Sequence, residues 1–225
     1  MSLMKTGTEL WNALTSRLNA AGTFLPQLFL RLILFWEFWE AGKMKYDGGA
    51  DGNWFASIQE SFPFPFNAID PSISWSMAMW GEIIGAILIL LGLFTRFAAI
   101  SIIMITVVAT AAVHWPESWS SLSQLWEGYA ISDKGAGNYK LPLLYVIMLL
   151  PLLFNGAGTF SLDHLLSKLS GNSEVAGQKI SDLGMWGLAL MALGVPLMFV
   201  MPYFGAALSV LGLVSLIANK LLTPK

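Results

Sequence analysis

The sequence has no cysteine and only two histidines, His114 and His164. Without cysteine, the chain itself can form no disulfide, thiolate metal site or thiol–disulfide exchange couple. Two histidines are also too few for a haem pair, so methionine would have to stand in as axial ligand for each missing imidazole. Charge is scarce as well. Asp, Glu, Lys and Arg make up 12% of the 225 residues, against about 25% in a soluble domain. The formal net charge is −2, and no basic stripe marks a nucleic-acid surface. The first twenty residues carry Lys5 and Arg17 but no apolar core between them, which excludes a signal peptide there. No nucleophile–histidine–acid triad, Walker loop or zinc-ligand spacing occurs.

What fills the chain instead is apolar. The composition is 56% hydrophobic and the mean hydropathy is +0.64, which points to an all-α integral membrane protein. A bilayer-spanning helix needs roughly 20 mostly apolar residues. Candidate spans fall at 25–42, 75–94, 96–115, 141–155, 184–201 and 203–219. Pro26 suits a first helical turn, and Ser72 or Ser74 can cap the second span. Pro151 and Pro196 lie inside the fourth and fifth spans, and Pro202 alone separates the fifth from the sixth. The second and third spans meet at Thr95, which forces an antiparallel hairpin. Gly205, Ser209 and Gly212 give the sixth span a small-residue face for close helix packing or dimerisation.

Ahead of the first span, Leu10, Trp11, Leu14 and Leu18 recur at helical spacing among Glu9, Asn12, Arg17 and Asn19. This predicts an amphipathic helix on the membrane surface. After the fourth span, Gly156 and Gly158 stop the helix. Ser161 then caps a second interfacial helix with Leu162, Leu165, Leu166 and Leu169 on its apolar face and His164 exposed. Two long loops, at 43–74 and 116–140, hold Asp47, Asp51, Glu60, Asp70, Glu117, Glu127 and Asp133 among aromatics and prolines. Six spans place Lys5, Arg17, Arg96, Lys168, Lys179, Lys220 and Lys225 on one side of the membrane, and Lys43, Lys45, Lys134 and Lys140 on the other. That asymmetry predicts both termini inside and both long loops outside.

Charges within spans face the bundle interior or a watery cavity and pair with one another. Counted at 1.5 Å per residue, Glu40 lies about 9 Å from Tyr46 and Glu82 about 10 Å from Trp75, the residues that mark the outer ends of their helices. They are therefore level in antiparallel helices, with His114 ending the third span on the same side. Glu37, Glu40 and Lys43 are spaced by three and share a helix face. Glu37, Glu40, Lys43, Glu82 and His114 thus form a candidate intramembrane polar site able to accept protons or bind a ligand. The competing structural reading makes them a buried network that fixes helix packing. At the inner interface, Arg31 can snorkel to the headgroups as an anchor. Arg96 is a positive-inside determinant and a lipid-phosphate contact. Met44, Met77, Met79, Met104 and Met148 suit Cu(I) chemically, but methionine is an ordinary gap-filler, and no metal site is assigned.

Three segments resemble the DoxX family of small membrane proteins. They are Arg31 with the helix ending Ala41-Gly-Lys43, the stretch Glu82-Ile-Ile-Gly85 running to Gly92-Leu-Phe-Thr-Arg96, and Gly156-Ala-Gly-Thr-Phe-Ser-Leu-Asp163. Together they cover about 25–166. The resemblance implies a four-helix membrane core over 23–170, preceded by the interfacial helix at 1–22. A linker at 171–183 and a C-terminal transmembrane pair at 184–225 lie outside the common pattern. It also implies residence in the bacterial inner membrane and links to thiosulfate:quinone oxidoreduction or membrane oxidoreductase complexes, with a quinone as the associated cofactor. The Glu37-Phe-Trp-Glu-Ala-Gly42 stretch is similar to a subgroup that accompanies maturation of copper-binding peptides. Three readings follow. The chain is the membrane component of a redox or peptide/metal-maturation system, a non-catalytic scaffold for membrane or periplasmic partner proteins, or a small-solute transporter. No inverted repeat favours the last.

Overall fold

The computed structural model describes residues 2–48, 52–116, 118–129, 137–172 and 182–222. Asp51, Glu117, Asp133, Lys134, Lys179, Lys225 and most of the expected linker lie outside these residues. Among the described residues all regular secondary structure is helical. In order come α1 (Ser2–Gly22), α2 (Leu25–Gly48), α3 (Gly52–Gln59), a 3-10 turn (Phe66–Ala68), α4 (Pro71–Leu91) and α5 (Thr95–Ala109), which runs on as a π turn (Thr110–His114). Then come α6 (Leu122–Glu127), α7 (Lys140–Asn155), α8 (Leu162–Leu169), α9 (Leu183–Leu197) and α10 (Pro202–Leu222).

Helices long and apolar enough to cross a membrane occupy Thr6–Gly48, Pro71–Leu91, Thr95–His114 and Pro202–Leu222. Two shorter apolar helices, α7 and α9, have 16 and 15 residues. They reach about 24 and 22 Å, less than the roughly 30 Å hydrocarbon core.

Four helices close into a ring: α2 packs on α4, α4 on α5, α5 on α7, and α7 back on α2. Leu34, Ala86, Ile89, Ile102, Leu149 and Leu152 fill its centre with no exposed surface. In lipid such packing draws on close van der Waals contact rather than on the exclusion of water, so small residues sit where helices cross. Gly42 is one. A Cβ there would lie 2.6 Å from Ile83 Cγ1 and 3.0 Å from the Ile83 backbone nitrogen.

The C-terminal pair uses the same device. A Cβ on Gly194 of α9 would meet the Ser209 backbone nitrogen at 2.7 Å, and one on Gly212 of α10 would meet the Gly187 carbonyl at 2.9 Å. The small-residue face of α10 is therefore occupied by α9 within the same chain. The pair leans on the ring through contacts of α9 with α5, and Phe199 and Val200 in its bend pack against the core.

Helix ends depart from expectation in three places. α2 continues six residues past Gly42 to Gly48, because Gly42 is a buried contact and not a stop. α4 starts at Pro71 under Asp70, whose carboxylate accepts the Ser72 amide at 2.9 Å and the Ser72 hydroxyl at 2.5 Å, so neither serine is the cap. α9 ends at Leu197, leaving a bend of four residues rather than Pro202 alone before α10.

The two long loops carry short helices that alternation of apolar residues did not reveal. α3 lies against α4 and the π turn. The Gln59 amide nitrogen donates to Phe66 O (2.6 Å), Ile69 O (3.1 Å) and Ser74 Oγ (2.9 Å), while Phe55 sits edge-on to Phe62 and Trp75. In the second loop the Tyr139 hydroxyl donates to Leu125 O at 2.6 Å, and Asn138 N donates to His114 O at 2.8 Å. The side of the bundle bearing these loops is the loop end below.

Candidate functional site

Along α2, three polar stations face three different partners. Nearest its start is Arg31, 4% exposed. In the middle, the half-buried Glu37 carboxylate accepts a hydrogen bond from the Tyr145 hydroxyl of α7. Near the loop end, Lys45 Nζ lies 2.6 Å from Glu82 Oε2 of α4 and 3.4 Å from its own helix's Ala41 carbonyl. Glu82 is buried, so its charge is met by a cation instead of water. The close approach at Gly42 sets this pair, since a Cβ there would stand 3.2 Å from Glu82 Cβ.

The five expected site residues therefore divide. Glu37 of α2 and Glu82 of α4 are interior groups that meet different partners, and Glu37 lies about 12 Å along α2 from Lys45, the partner of Glu82, at 1.5 Å per residue. Glu40 is exposed. Lys43 is exposed and pairs with Asp47 at 3.9 Å, not with Glu40 or Glu82. This corrects the expected Glu40–Lys43 pairing: α2 extends past Gly42, and its register turns Lys45 toward α4. His114 is half-buried at the end of the π turn, where its carbonyl receives the second loop. Lys45 and Tyr145 were not singled out from sequence. A lysine two residues beyond Lys43 and a tyrosine inside an apolar span were the available signals.

At the opposite end, side chains tie off the helix termini. Helix ends leave backbone groups without partners, and within a bilayer each must be satisfied by protein. The Arg31 guanidinium does not snorkel. It donates to Ile89 O at 2.9 Å and to Leu90 O, the last carbonyls of α4, and to Ala157 O (3.2 Å) and Phe160 O (2.5 Å). Asp163 accepts the Phe94 and Thr95 amides at 2.7 and 3.0 Å, capping α5 from outside its own segment, and its own amide donates to Gly92 O at 2.8 Å. Arg96 donates to Leu153 O (2.7 Å) and Phe154 O (2.8 Å) at the end of α7. Gly92 has φ 61°, and a Cβ there would lie 2.9 Å from Arg31 Cζ and 2.6 Å from Ser161 Cβ, so only glycine fits. Arg31, Gly92, Arg96 and Asp163 thus form one clasp across the ends of α4, α5 and α7.

Outside the spans two groups are shifted. The Ser72 hydroxyl and amide hold the Asp70 carboxyl below its ordinary range, and burial pushes the Tyr139 phenol up. Met44 and Met77, two of the methionines suited to soft metals, are exposed. Among the described residues no three His, Asp or Glu side chains gather as a metal-holding group.

An all-helical ring with a clasp at one end and paired charges in its interior defines a small multi-pass membrane protein, its apolar helices facing lipid. A family model described as DoxX matches residues 27–115, the stretch from α2 through the π turn. An uncharacterized protein of Haemophilus influenzae is 41% identical over 153 residues, which is 68% of this chain and 91% of that protein. The chain belongs to the DoxX family. No solved structure matches it.

Proposed function

We propose that this chain is the membrane component of a quinone-linked redox system in the bacterial inner membrane, handling protons while a partner protein carries the electrons. One observation supports this reading above the rest: two carboxylates inside an apolar ring, each held by a group that itself carries a proton. These are Glu37 with the Tyr145 hydroxyl and Glu82 with the Lys45 ammonium. A quinone offers carbonyl oxygens as acceptors; the Lys45 ammonium is a donor near the loop end, and the Tyr145 phenol is the proton-bearing group of the separate Glu37 station, whose apolar wall includes Phe38, its ring 5.4 Å from that of Tyr145. When bound, a quinone supplies two-electron, two-proton chemistry. The Tyr145 hydroxyl donates its one proton to Glu37, and it turns that proton to a quinone oxygen only when Glu37 is itself protonated and donates to the phenol oxygen in its place. Lys45 holds the Glu82 carboxyl by a charge-assisted hydrogen bond, and a proton that reaches Glu82 from the loop end is passed on by the carboxyl as a general acid.

The test is quinone binding by the purified full-length chain in native-lipid nanodiscs, using a short-chain ubiquinone as probe. Glu82→Gln and Tyr145→Phe each weaken binding about tenfold, the scale of one lost charge-assisted hydrogen bond. Absence of binding by the unaltered chain, or binding by both variants as tight as by the unaltered chain, ends this reading.

A second reading rests on the loop end. The Gln59 and Tyr139 bonds anchor both loops, while Phe64 and Trp126 remain 78% and 65% exposed. Such a surface suits a scaffold that holds a membrane or periplasmic partner, and copper-peptide maturation is the case the family resemblance suggests. Capture of a partner in mild detergent that disappears with Trp126→Ser supports it. Elution of the chain alone under the same conditions counts against it.

A further inference from the structure

The clasp encloses a groove of about 640 Å³, lined by the α4–α5 turn, the loop after α7, and α8. Its chemistry is not used by either reading above. We propose that this groove binds the phosphate of a membrane phospholipid, with Arg96 as the charged contact.

Arg96 is held in place from behind. Both of its bonds, to Leu153 O and Phe154 O, leave from Nη1. A guanidinium has five N–H donors in a fixed fork, and among the described residues Nη2 and Nε donate to no protein acceptor. A guanidinium fixed on one side with donors left over is preorganised for a phosphate oxygen. The acidic group in the groove does not compete: both Asp163 oxygens are engaged by the Phe94 and Thr95 amides.

A second observation is independent of Arg96. Thr95 and Ser167 are among the residues that line the groove, and the hydroxyl oxygens of both are buried without a hydrogen-bond partner among the described residues. Thr95 is fully buried, so the phosphate engages its hydroxyl through a small shift of the groove wall. Buried polar atoms are rarely left unpaired, and phosphate accepts hydrogen bonds without donating in its ionised form, so it suits two hydroxyl donors and a guanidinium. His164, half-buried, adds a fourth polar side chain to the wall.

The rim identifies the source of the phosphate. Phe94, Phe97 and Phe160 are 63%, 68% and 64% exposed around the groove, and α8 exposes Leu165, Leu166 and Leu169 beside it. Free phosphate has no use for such a rim, whereas a phospholipid lays its acyl chains along it and leaves the phosphate at the polar floor.

The full-length chain, purified in a delipidating detergent, is titrated with phosphatidylglycerol, with diacylglycerol (the same chains without phosphate) and with inorganic phosphate, and bound lipid is counted by native mass spectrometry. The unaltered chain retains phosphatidylglycerol about tenfold more tightly than diacylglycerol, the scale of a charge-assisted contact. Arg96→Gln removes that preference. Because Arg96 also caps α7, Thr95→Val and Ser167→Ala serve as variants that break no bond of the fold. Each lowers the preference severalfold with an unchanged melting temperature. Equal retention of the two lipids, or an unchanged preference in all three variants, overturns the proposal. Displacement of the lipid by inorganic phosphate at comparable concentration overturns the lipid as occupant and assigns the groove to free phosphate.

Discussion

Lys45 and Glu82 show what one pair of side chains contributes inside lipid. Removing one member of a buried pair strands the other charge, and the loss exceeds what the pair adds over two neutral groups. Lys45 is about one-fifth exposed, which moderates the effect. Glu82→Gln and Lys45→Gln singly should each destabilise the protein by about 2 kcal/mol, and the double variant by less than the sum of the two. Thermal unfolding of all four proteins in one detergent measures this coupling, and additive losses would show that the pair does not interact. Asp70 makes a separate pH prediction at the edge of the membrane. Its folded pKa is depressed by the Ser72 hydroxyl and then by the Ser72 amide. Its contribution is therefore present above the unfolded carboxylate value of about 3.9 and is lost as pH falls through the depressed folded value. Against Asp70→Asn, whose side chain does not titrate, the wild-type melting temperature should hold a constant margin above that unfolded value and lose it as pH falls from there through the folded value. A constant difference from neutral to acidic pH would show that the Asp70 charge plays no part.

At the scale of elements, the helices cross where glycine permits it. Gly42→Val places a branched side chain where one Cβ already stands 2.6 Å from Ile83 Cγ1 and 3.0 Å from its backbone. It should push α2 from α4 and cost about 1–3 kcal/mol. Unfolding of Gly42→Val at the wild-type temperature would contradict that packing. The same glycine explains what was legible in the sequence. Apolar length revealed α2, α4, α5, α7, α9 and α10, and serine followed by aspartate marked the start of α8, where Ser161 accepts the His164 amide at 3.1 Å. Gly42 read as a helix end, however, and ending α2 there removed the register that would have turned Lys45 toward Glu82. Depth along a helix placed Arg31 at the right end but could not reveal its bonds, since its acceptors lie 58 to 129 positions away. The chemistry of Tyr145 was hidden for the same reason: a phenol in an apolar run becomes informative only once the facing helix is known.

For the whole molecule, the closed ring and the leaning α9–α10 pair leave the number of crossings as the first quantity to measure. The Lys and Arg distribution predicts an even number, with both termini on the cytoplasmic side. Reporter fusions at residue 1, within 118–129 and after residue 225 test it. A cytoplasmic reporter should be active at both termini and a periplasmic one in the loop, and opposite signals at the two termini would mean that α7 or α9, the shorter apolar helices, does not cross.

The clasp also imposes an order on biogenesis. A ribosome delivers the chain from its N-terminus, so α2, α4 and α5 reach the bilayer before residues 157–163 exist. Until then the Arg31 guanidinium has only the α4 carbonyls, and the start of α5 lacks the Asp163 carboxylate. A charge at a helix centre costs about 2.5–3.5 kcal/mol to insert, and one nearer the end, as Arg31 is, costs less, so the half-made protein carries a partly met cation that the arrival of the 157–163 loop relieves. Chains released before that loop emerges should be recognised and degraded by membrane quality control, while chains released just after it should persist.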